Sequence, residues 1–410
     1  MSRLNLSRRG FGLGLFGAAL ASLAAKSGST KKRFVFVHAV GGWDPLVAFA
    51  PMFDSPTIQM APDDEPVSVG DFRLVDGPGR PAVLDFFSTH GDRTLLLNGL
   101  STRSVNHLAA LAMALTGSIG DNGTDWATLL ALDEADAYLL PHLALNATVY
   151  PGTHAVIVGR AEGWLSAAVD GSVVELSDAP TVSPGSGASS LVDGYLKAES
   201  AAFAKVQPDI VLAQDLDEAL RRSRGLSEAK DSVKLAPAGD LAGRIENAVR
   251  LLQGGTARCV SLATHDRPVW DTHDTNENQR FLFEELFSGL SLLMSRLASE
   301  QASDGAPLSA DTVVVVLSEM ARTPVYNEQA GRDHWPFTSA LVIGDGITGG
   351  RTVGGFDQGY RGIGVDPDSG DTDPNHKGID PNQLGATLLA LGGADPSDYL
   401  EVSPILGVLK

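Results

Sequence analysis

Short runs that are apolar at nearly every residue alternate along this chain with longer stretches of helical period, and that alternation narrows the fold more than any other feature. Residues 33–39 (Arg33-Phe34-Val35-Phe36-Val37-His38-Ala39), 94–98, 259–263, 312–317 and 340–343 are runs of this kind. They are short for helices, and the run at 312–317 is mostly Val, a residue that suits the pleated surface of a strand. A strand apolar at consecutive positions has both faces covered. Between the runs, Leu241, Ile245, Val249 and Leu252 recur at helical spacing, with Gly254-Gly255 as the stop. Residues 278–297 repeat the amphipathic pattern. Residues 107–115 are helical by composition and closed by Thr116-Gly117, and Asp125-Trp126 opens another helix. Helices alternating with doubly covered strands predict an α/β fold: a three-layer α/β/α sandwich around a mainly parallel sheet.

The two ends of the sequence and its middle read differently. Ser7-Arg8-Arg9-Gly10-Phe11 sets a paired arginine before an uncharged run at 11–25. That run falls short of the roughly 20 apolar residues a bilayer requires. Residues 1–30 therefore read as a twin-arginine targeting segment, with small residues Ser22 and Ala24 offering a cleavage site. This predicts a periplasmic or extracellular protein that meets the twin-arginine translocase during export and keeps no stable transmembrane span. Residues 31–410 read as the folded domain, with 140–237 as an insertion or cap. Within that cap, 154–158 read as a strand, 183–190 as a loop and 191–224 as one or two helices. A net charge of −19 excludes a nucleic-acid partner, since phosphate backbones attract basic surfaces. The single cysteine, Cys259, lies in an apolar run and reads as core.

In open α/β sheets the working groups collect at the carboxyl ends of strands. The first run here ends at Gly41-Gly42-Trp43-Asp44, the run at 259–263 leads to Asp271 and His273, and the run at 312–317 ends at Glu319. Asp271 and His273 are two apart, so an extended segment points both the same way. Asp333 and His334 follow in Gly331-Arg332-Asp333-His334-Trp335-Pro336. Carboxylates with imidazoles suit zinc or manganese, and carboxylates alone suit magnesium or calcium. One or two such divalent ions are expected. Apart from His107, the remaining histidines read as structural or exposed, with His38 in the core of the first strand and His265, beside Asp266, nearest the expected site.

An Asp after the first strand, an Asp-x-His, an acid after a late strand and a final His together resemble the alkaline phosphatase superfamily, which includes phosphatases and sulfatases. Trp270-Asp271-Thr272-His273, Ser318-Glu319-Met320-Ala321-Arg322-Thr323-Pro324, Gly331 to Pro336, the paired arginine and residues 384–392 more closely resemble one bacterial family filed as domain of unknown function 1501. The resemblance implies an alkaline phosphatase-like domain in which Asp44 and Glu319 hold one metal and Asp271, His273 and His334 the other, with Asp333-His334 as an alternative source for the first. It implies a Ser or Thr nucleophile at a helix start. Ser104 is the first candidate and Thr102 the second, with helix capping as their ordinary role. Asn106 is similar to a phosphate-contacting Asn, Arg322 and Arg332 would bind the anion, and His107 would be a ligand, an acid or base, or an orienting residue. The function so implied is an exported metal-dependent hydrolase or transferase acting on a phosphate or sulfate ester of a small molecule or glycan. The alternative is a catalytically inactive member that binds an envelope component, a glycan or a partner protein.

Overall fold

The computed structural model describes residues 31–120, 123–160, 186–206, 211–229, 235, 239–302 and 305–410. The paired arginines and the uncharged run behind them lie outside the described residues, as do 183–185 of the expected loop.

The strands in chain order are β1 (Arg33–His38), β2 (Glu65–Val69), β3 (Phe72–Asp76), β4 (Thr94–Ser101), β5 (His142–Leu145), β6 (Val158–Arg160) and β7 (Cys259–Ala263). They continue with β8 (Thr312–Leu317), β9 (Ala321–Arg322), β10 (His334–Trp335), β11 (Phe337–Ile343), β12 (Arg351–Phe356), β13 (Gly362–Val365) and β14 (Thr372–Asp373). The helices are α1 (Pro45–Ala48), α2 (Pro81–His90), α3 (His107–Thr116), α4 (Trp126–Leu132) and α5 (Ser186–Val206). After these come α6 (Val211–Glu228), α7 (Leu241–Gln253), α8 (Asn278–Ser299) and α9 (Pro381–Leu391). Among the described residues no helix is long and apolar enough to cross a membrane.

Ten strands form one sheet in the order β14-β13-β12-β4-β11-β8-β1-β7-β5-β6. The pairings run β8, β1, β7, β5 and β6 parallel to one another, with β11 antiparallel to both β8 and β4. β12 is parallel to β4, and only β13 reverses again beyond it. Eight of the ten strands thus point one way, and the sheet is mainly parallel. Alternation along β1 divides the core. Val35 and Val37 join one buried cluster with Ile245, Val249, Phe283 and Leu286, under α7 and α8. Phe34 and Phe36 join the other with Leu115, Trp126, Leu130 and Leu388, under α3, α4 and α9. Two apolar layers on one doubly covered sheet make the expected three-layer sandwich.

Two local expectations are corrected. Residues 142–160, expected in the insertion, contribute β5 and β6 to the main sheet, and the short helix 155–157 occupies most of the expected strand at 154–158. The loop expected to run to Ser190 is already helical from Ser186, where α5 begins. The run at 340–343 is a strand as expected, within β11, and it lies antiparallel because no crossover helix separates β8 from β11; the connection is the small hairpin of β9 and β10, and a parallel return needs a crossover.

β1, β4, β7 and β8 point the same way, so their carboxyl ends deliver the loops 41–44, 102–107, 264–273 and 318–322 to one edge of the sheet. Trp43, Phe49, Trp270 and Phe283 pack edge-to-face beneath that edge, with ring centroids 5.0 to 6.4 Å apart. Such aromatic packing gives the loops a stiff floor.

Candidate metal centre

Each loop reaches the site for a local reason. After β1 the chain turns at Gly41, whose φ of +122° favours glycine; a Cβ there would also stand 2.6 Å from the backbone nitrogen of Asp271. After β7 the chain is folded back by Trp270, fully buried, whose Nε1 donates to Thr264 Oγ1 at 3.1 Å. Asp271 follows it directly. β9 and β10 pair His334 opposite Arg322. Asn106 caps α3, its Oδ1 accepting from Ala109 N at 3.2 Å, and this sets His107 at the first helical position.

Asp271 is the hub. Its Oδ1 lies 3.1 Å from His334 Nε2 and 3.2 Å from His273 Nε2, and accepts from Arg322 Nη2 at 2.8 Å. Its Oδ2 lies 3.3 Å from His107 Nε2. His273 Nε2 and His334 Nε2 are 2.9 Å apart. Ligand atoms of His107, Asp271 and His334 all lie within 4.8 Å of one another.

The other ring nitrogens explain why those atoms converge. His107 Nδ1 is 2.8 Å from Glu319 Oε1, His273 Nδ1 is 2.9 Å from Asp333 Oδ1, and His334 Nδ1 is 2.7 Å from the Val105 carbonyl oxygen. A carbonyl or carboxylate only accepts, so each Nδ1 carries a proton, and in the neutral ring each Nε2 then keeps a lone pair. Three lone pairs and a carboxylate facing one another repel unless a cation or proton lies among them. His107 Nε2 is buried without a hydrogen-bond partner. An imidazole held from behind by an oxygen while its front nitrogen is left open is the usual support for a metal ligand. The donor set of His107, Asp271 and His334, with His273 beside it, fits a divalent ion, and imidazoles with a carboxylate suit zinc or manganese better than magnesium or calcium.

Charge agrees with that geometry. Burial pushes the Asp271 carboxyl up, but the Arg322 hydrogen bond and charge, with the His334 contact, outweigh it and hold the group at about 2. The Glu319 hydrogen bond raises the His107 imidazole against a smaller loss from burial. Hydrogen bonds from His273 and Asn327 lower the Asp333 carboxyl.

The other expected residues lie around this group in different positions. Asp44 is fully buried: Oδ1 caps α1 by accepting from Leu46 N at 3.1 Å, and Oδ2 accepts from Asn276 Nδ2 at 2.8 Å and faces Arg332 Nε at 3.2 Å. Glu319 instead holds His107 and accepts from Gly41 N at 2.8 Å. Asp44 and Glu319 are thus each engaged by protein donors, and neither belongs to the group of converging ligand atoms. Arg322 and Arg332, expected to meet an anion, are both buried. Arg322 donates to the carbonyls of Gly41, Gly42, Trp270 and Arg332 as well as to Asp271. Arg332 donates to the Thr323 and Gln59 carbonyls and lies 4.1 Å over the Tyr326 ring. Thr102 is buried and its hydroxyl donates to the Pro336 carbonyl at 3.1 Å. Ser104 stands outside the helix start expected for it: α3 begins at His107, and Ser104 Oγ accepts from Asn106 N at 3.1 Å. His265 meets Glu285 at 3.1 Å and is not among the converging ligands. Sequence reasoning missed Val105, Asn276 and Gln279. The first acts through its backbone, which leaves no mark in a sequence. Asn276 and Gln279 sit three apart at the start of an amphipathic helix, where buried polar groups look like ordinary solvated ones.

No curated protein matches the chain in sequence. Among solved structures it is similar to a protein of the alkaline phosphatase superfamily from Vibrio parahaemolyticus, at 11% identity and a TM-score of 0.34, covering 89% of this chain and 67% of that one. It is also similar to a 2-O GAG sulfatase, at 10% identity and a TM-score of 0.39, covering 91% of this chain and 73% of that one. A third similar structure holds its substrate D-glucosamine-2-N,6-O-disulfate; it shares 9% identity at a TM-score of 0.36, covering 93% of this chain and 80% of that one. The family model described as a protein of unknown function, DUF1501, matches residues 31–401, and the chain belongs to that family.

Proposed function

We propose that this protein is a metal-dependent hydrolase of a phosphate or sulfate ester, working at the His107, Asp271, His273 and His334 centre. The observation that carries the reading is the convergence of three imidazole Nε2 atoms on Asp271, with His107 Nε2 buried and unpartnered. A divalent ion bound there supplies Lewis acidity and lowers the pKa of a water to near neutrality. The chain's own residues keep the donor atoms aimed: Glu319 fixes the His107 ring, Asp333 the His273 ring and the Val105 carbonyl the His334 ring. Arg322 holds the Asp271 carboxylate ionised. Thr102 is committed to Pro336, and Ser104 stands ahead of the α3 start with its Oγ accepting from Asn106 N. Water, rather than a side-chain hydroxyl, is then the attacking group.

The test is metal analysis of the purified protein together with turnover of an aryl phosphate, a phosphodiester and an aryl sulfate. The wild type is expected to hold one ion per chain and to cleave at least one of them. Asp271→Ala with His273→Ala is expected to lose both properties, while Ser104→Ala keeps both. If the wild type holds an ion yet turns over no ester, the inactive, ligand-binding member becomes the better reading.

The same proposal places the protein in the periplasm or outside the cell, on the strength of Arg8-Arg9 and the uncharged residues behind them. Replacing both arginines with Lys should retain full-length, folded protein in the cytoplasm. Unchanged export of that variant overturns the route.

A further inference from the structure

We infer that Asp44 is a positioning residue of this centre rather than one of its ligands: with Arg332 and Asn276 it forms a buried clamp that sets the segment carrying Asp271 and His273 against the segment carrying His334. The inference rests on the metal reading above and assigns Asp44 a role different from that of a ligand.

Both carboxylate oxygens of Asp44 are engaged by protein groups. Oδ1 is occupied by Leu46 N, and Oδ2 by Asn276 Nδ2 and the ion pair with Arg332. Arg332 is two residues from His334, and Asn276 is three from His273, so the carboxylate ties together the two segments that supply three of the four proposed ligands. Neighbouring bonds close the clamp. Asp44 N donates to Gln279 Oε1 at 3.0 Å, and Gln279 Nε2 donates to the Trp270 carbonyl at 2.8 Å and to Thr272 Oγ1 at 3.1 Å. Thr272 Oγ1 donates to Asn276 Oδ1 at 2.9 Å, and Arg332 N donates to the Thr272 carbonyl at 3.0 Å. The two segments also touch through backbone alone, because a Cβ on Gly331 would collide with the His273 carbonyl. Asp44, Arg332, Asn276 and Gln279 are all at least nine-tenths buried. A buried carboxylate with a guanidinium and an amide on one oxygen is locked in place, and a locked support of this kind is what holds ligand atoms at working distance.

The test is a zinc titration against a competing chromophoric chelator, with melting temperature recorded in parallel, for the wild type, Asp44→Asn, Arg332→Gln, the double variant, Asn276→Ala and Asp271→Ala. A positioning role predicts that Asp44→Asn still binds one zinc per chain but 10–100-fold more weakly. The double variant should bind no more weakly than the weaker single, since both act through one contact. It should also recover melting temperature relative to Asp44→Asn, because no buried charge is left alone, without recovering affinity. A merely structural role predicts that affinity recovers with melting. Asn276→Ala keeps the ion pair, so it folds even if the charge variants do not, and its zinc affinity should still fall. Wild-type affinity in both Asp44→Asn and Asn276→Ala, or multiplying losses in the double variant, overturns the clamp. A wild type that binds two ions where Asp44→Asn binds one shows Asp44 to be a ligand and also overturns it. Full binding by Asp271→Ala, or no zinc on the wild type, is the separate failure of the metal reading, and the clamp falls with it.

Discussion

His107 is drawn two ways. Glu319 favours its protonated form, while a metal would need its Nε2 lone pair. Without metal, the raised His107 pKa means that its stabilisation is fully present below the ordinary imidazole value of about 6.5 and fades as pH rises through the folded value. Asp271, held at about 2, behaves oppositely: its contribution is present above the ordinary carboxylate value near pH 4 and is lost as pH falls toward 2. The metal-free protein should therefore melt highest between roughly pH 4 and 6.5. Zinc must displace the His107 proton, so its affinity should climb with pH across the raised His107 range. Glu319→Gln should move that climb to lower pH and weaken binding at high pH by about 10–100-fold. A zinc affinity profile that Glu319→Gln leaves unmoved would show that the two side chains are not coupled. Some of this chemistry was legible in the sequence. Asp271-x-His273 and Asp333-His334 announce themselves as short polar motifs, and the structure brings all four together. Asp44 did not reveal its partner. Nothing in Trp43-Asp44 distinguishes a carboxylate that meets an ion from one that meets an arginine far along the chain.

At the level of elements, legibility followed burial and continuity. β7 and β8 have the bounds the apolar runs give, and α3 runs from His107 to a Gly117 cap with φ of +70°, as Thr116-Gly117 foretold. Those elements are local: their pattern, start and stop lie within a few residues. Other elements depend on distant partners. β5 is only four residues, His142 to Leu145, and becomes a strand because β7 and β6 flank it. β11, a strand as its run predicts, takes its antiparallel direction from the length of the connection rather than from its own residues. The same division governs the site. Asp271, His273 and the pair at 333–334 come from two segments held by backbone contact, whereas His107 arrives from a separate helix whose start depends on the Asn106 cap. A sequence shows each candidate ligand on its own element, and only the packing of elements brings His107, rather than Asp44, against Asp271 and His334.

Across the whole molecule the proposed ion would link positions 107, 271, 273 and 334, which the unfolded chain keeps far apart. An ion held only by the folded state stabilises it by mass action, about 2.7 kcal/mol when free ion is 100 times its dissociation constant. The folded domain spans about 380 residues, so unfolding at the midpoint carries roughly 0.8 kcal/mol per degree of entropy, and that stabilisation amounts to a shift of about 3 °C. Melting should rise by that amount when zinc is added to chelator-treated protein, and chelator should reverse it. His334→Ala should melt at one temperature with or without zinc, since it removes the nitrogen 2.9 Å from His273 and 3.1 Å from Asp271. Ser104→Ala keeps the ligand set and should shift like the wild type. Weak zinc binding to stray surface carboxylates would raise melting in every variant alike, His334→Ala included. A wild-type shift absent from His334→Ala and kept in Ser104→Ala therefore assigns the stabilisation to this centre, and equal melting of the wild type with and without excess zinc would leave the four side chains as a hydrogen-bonded cluster with no ion to hold.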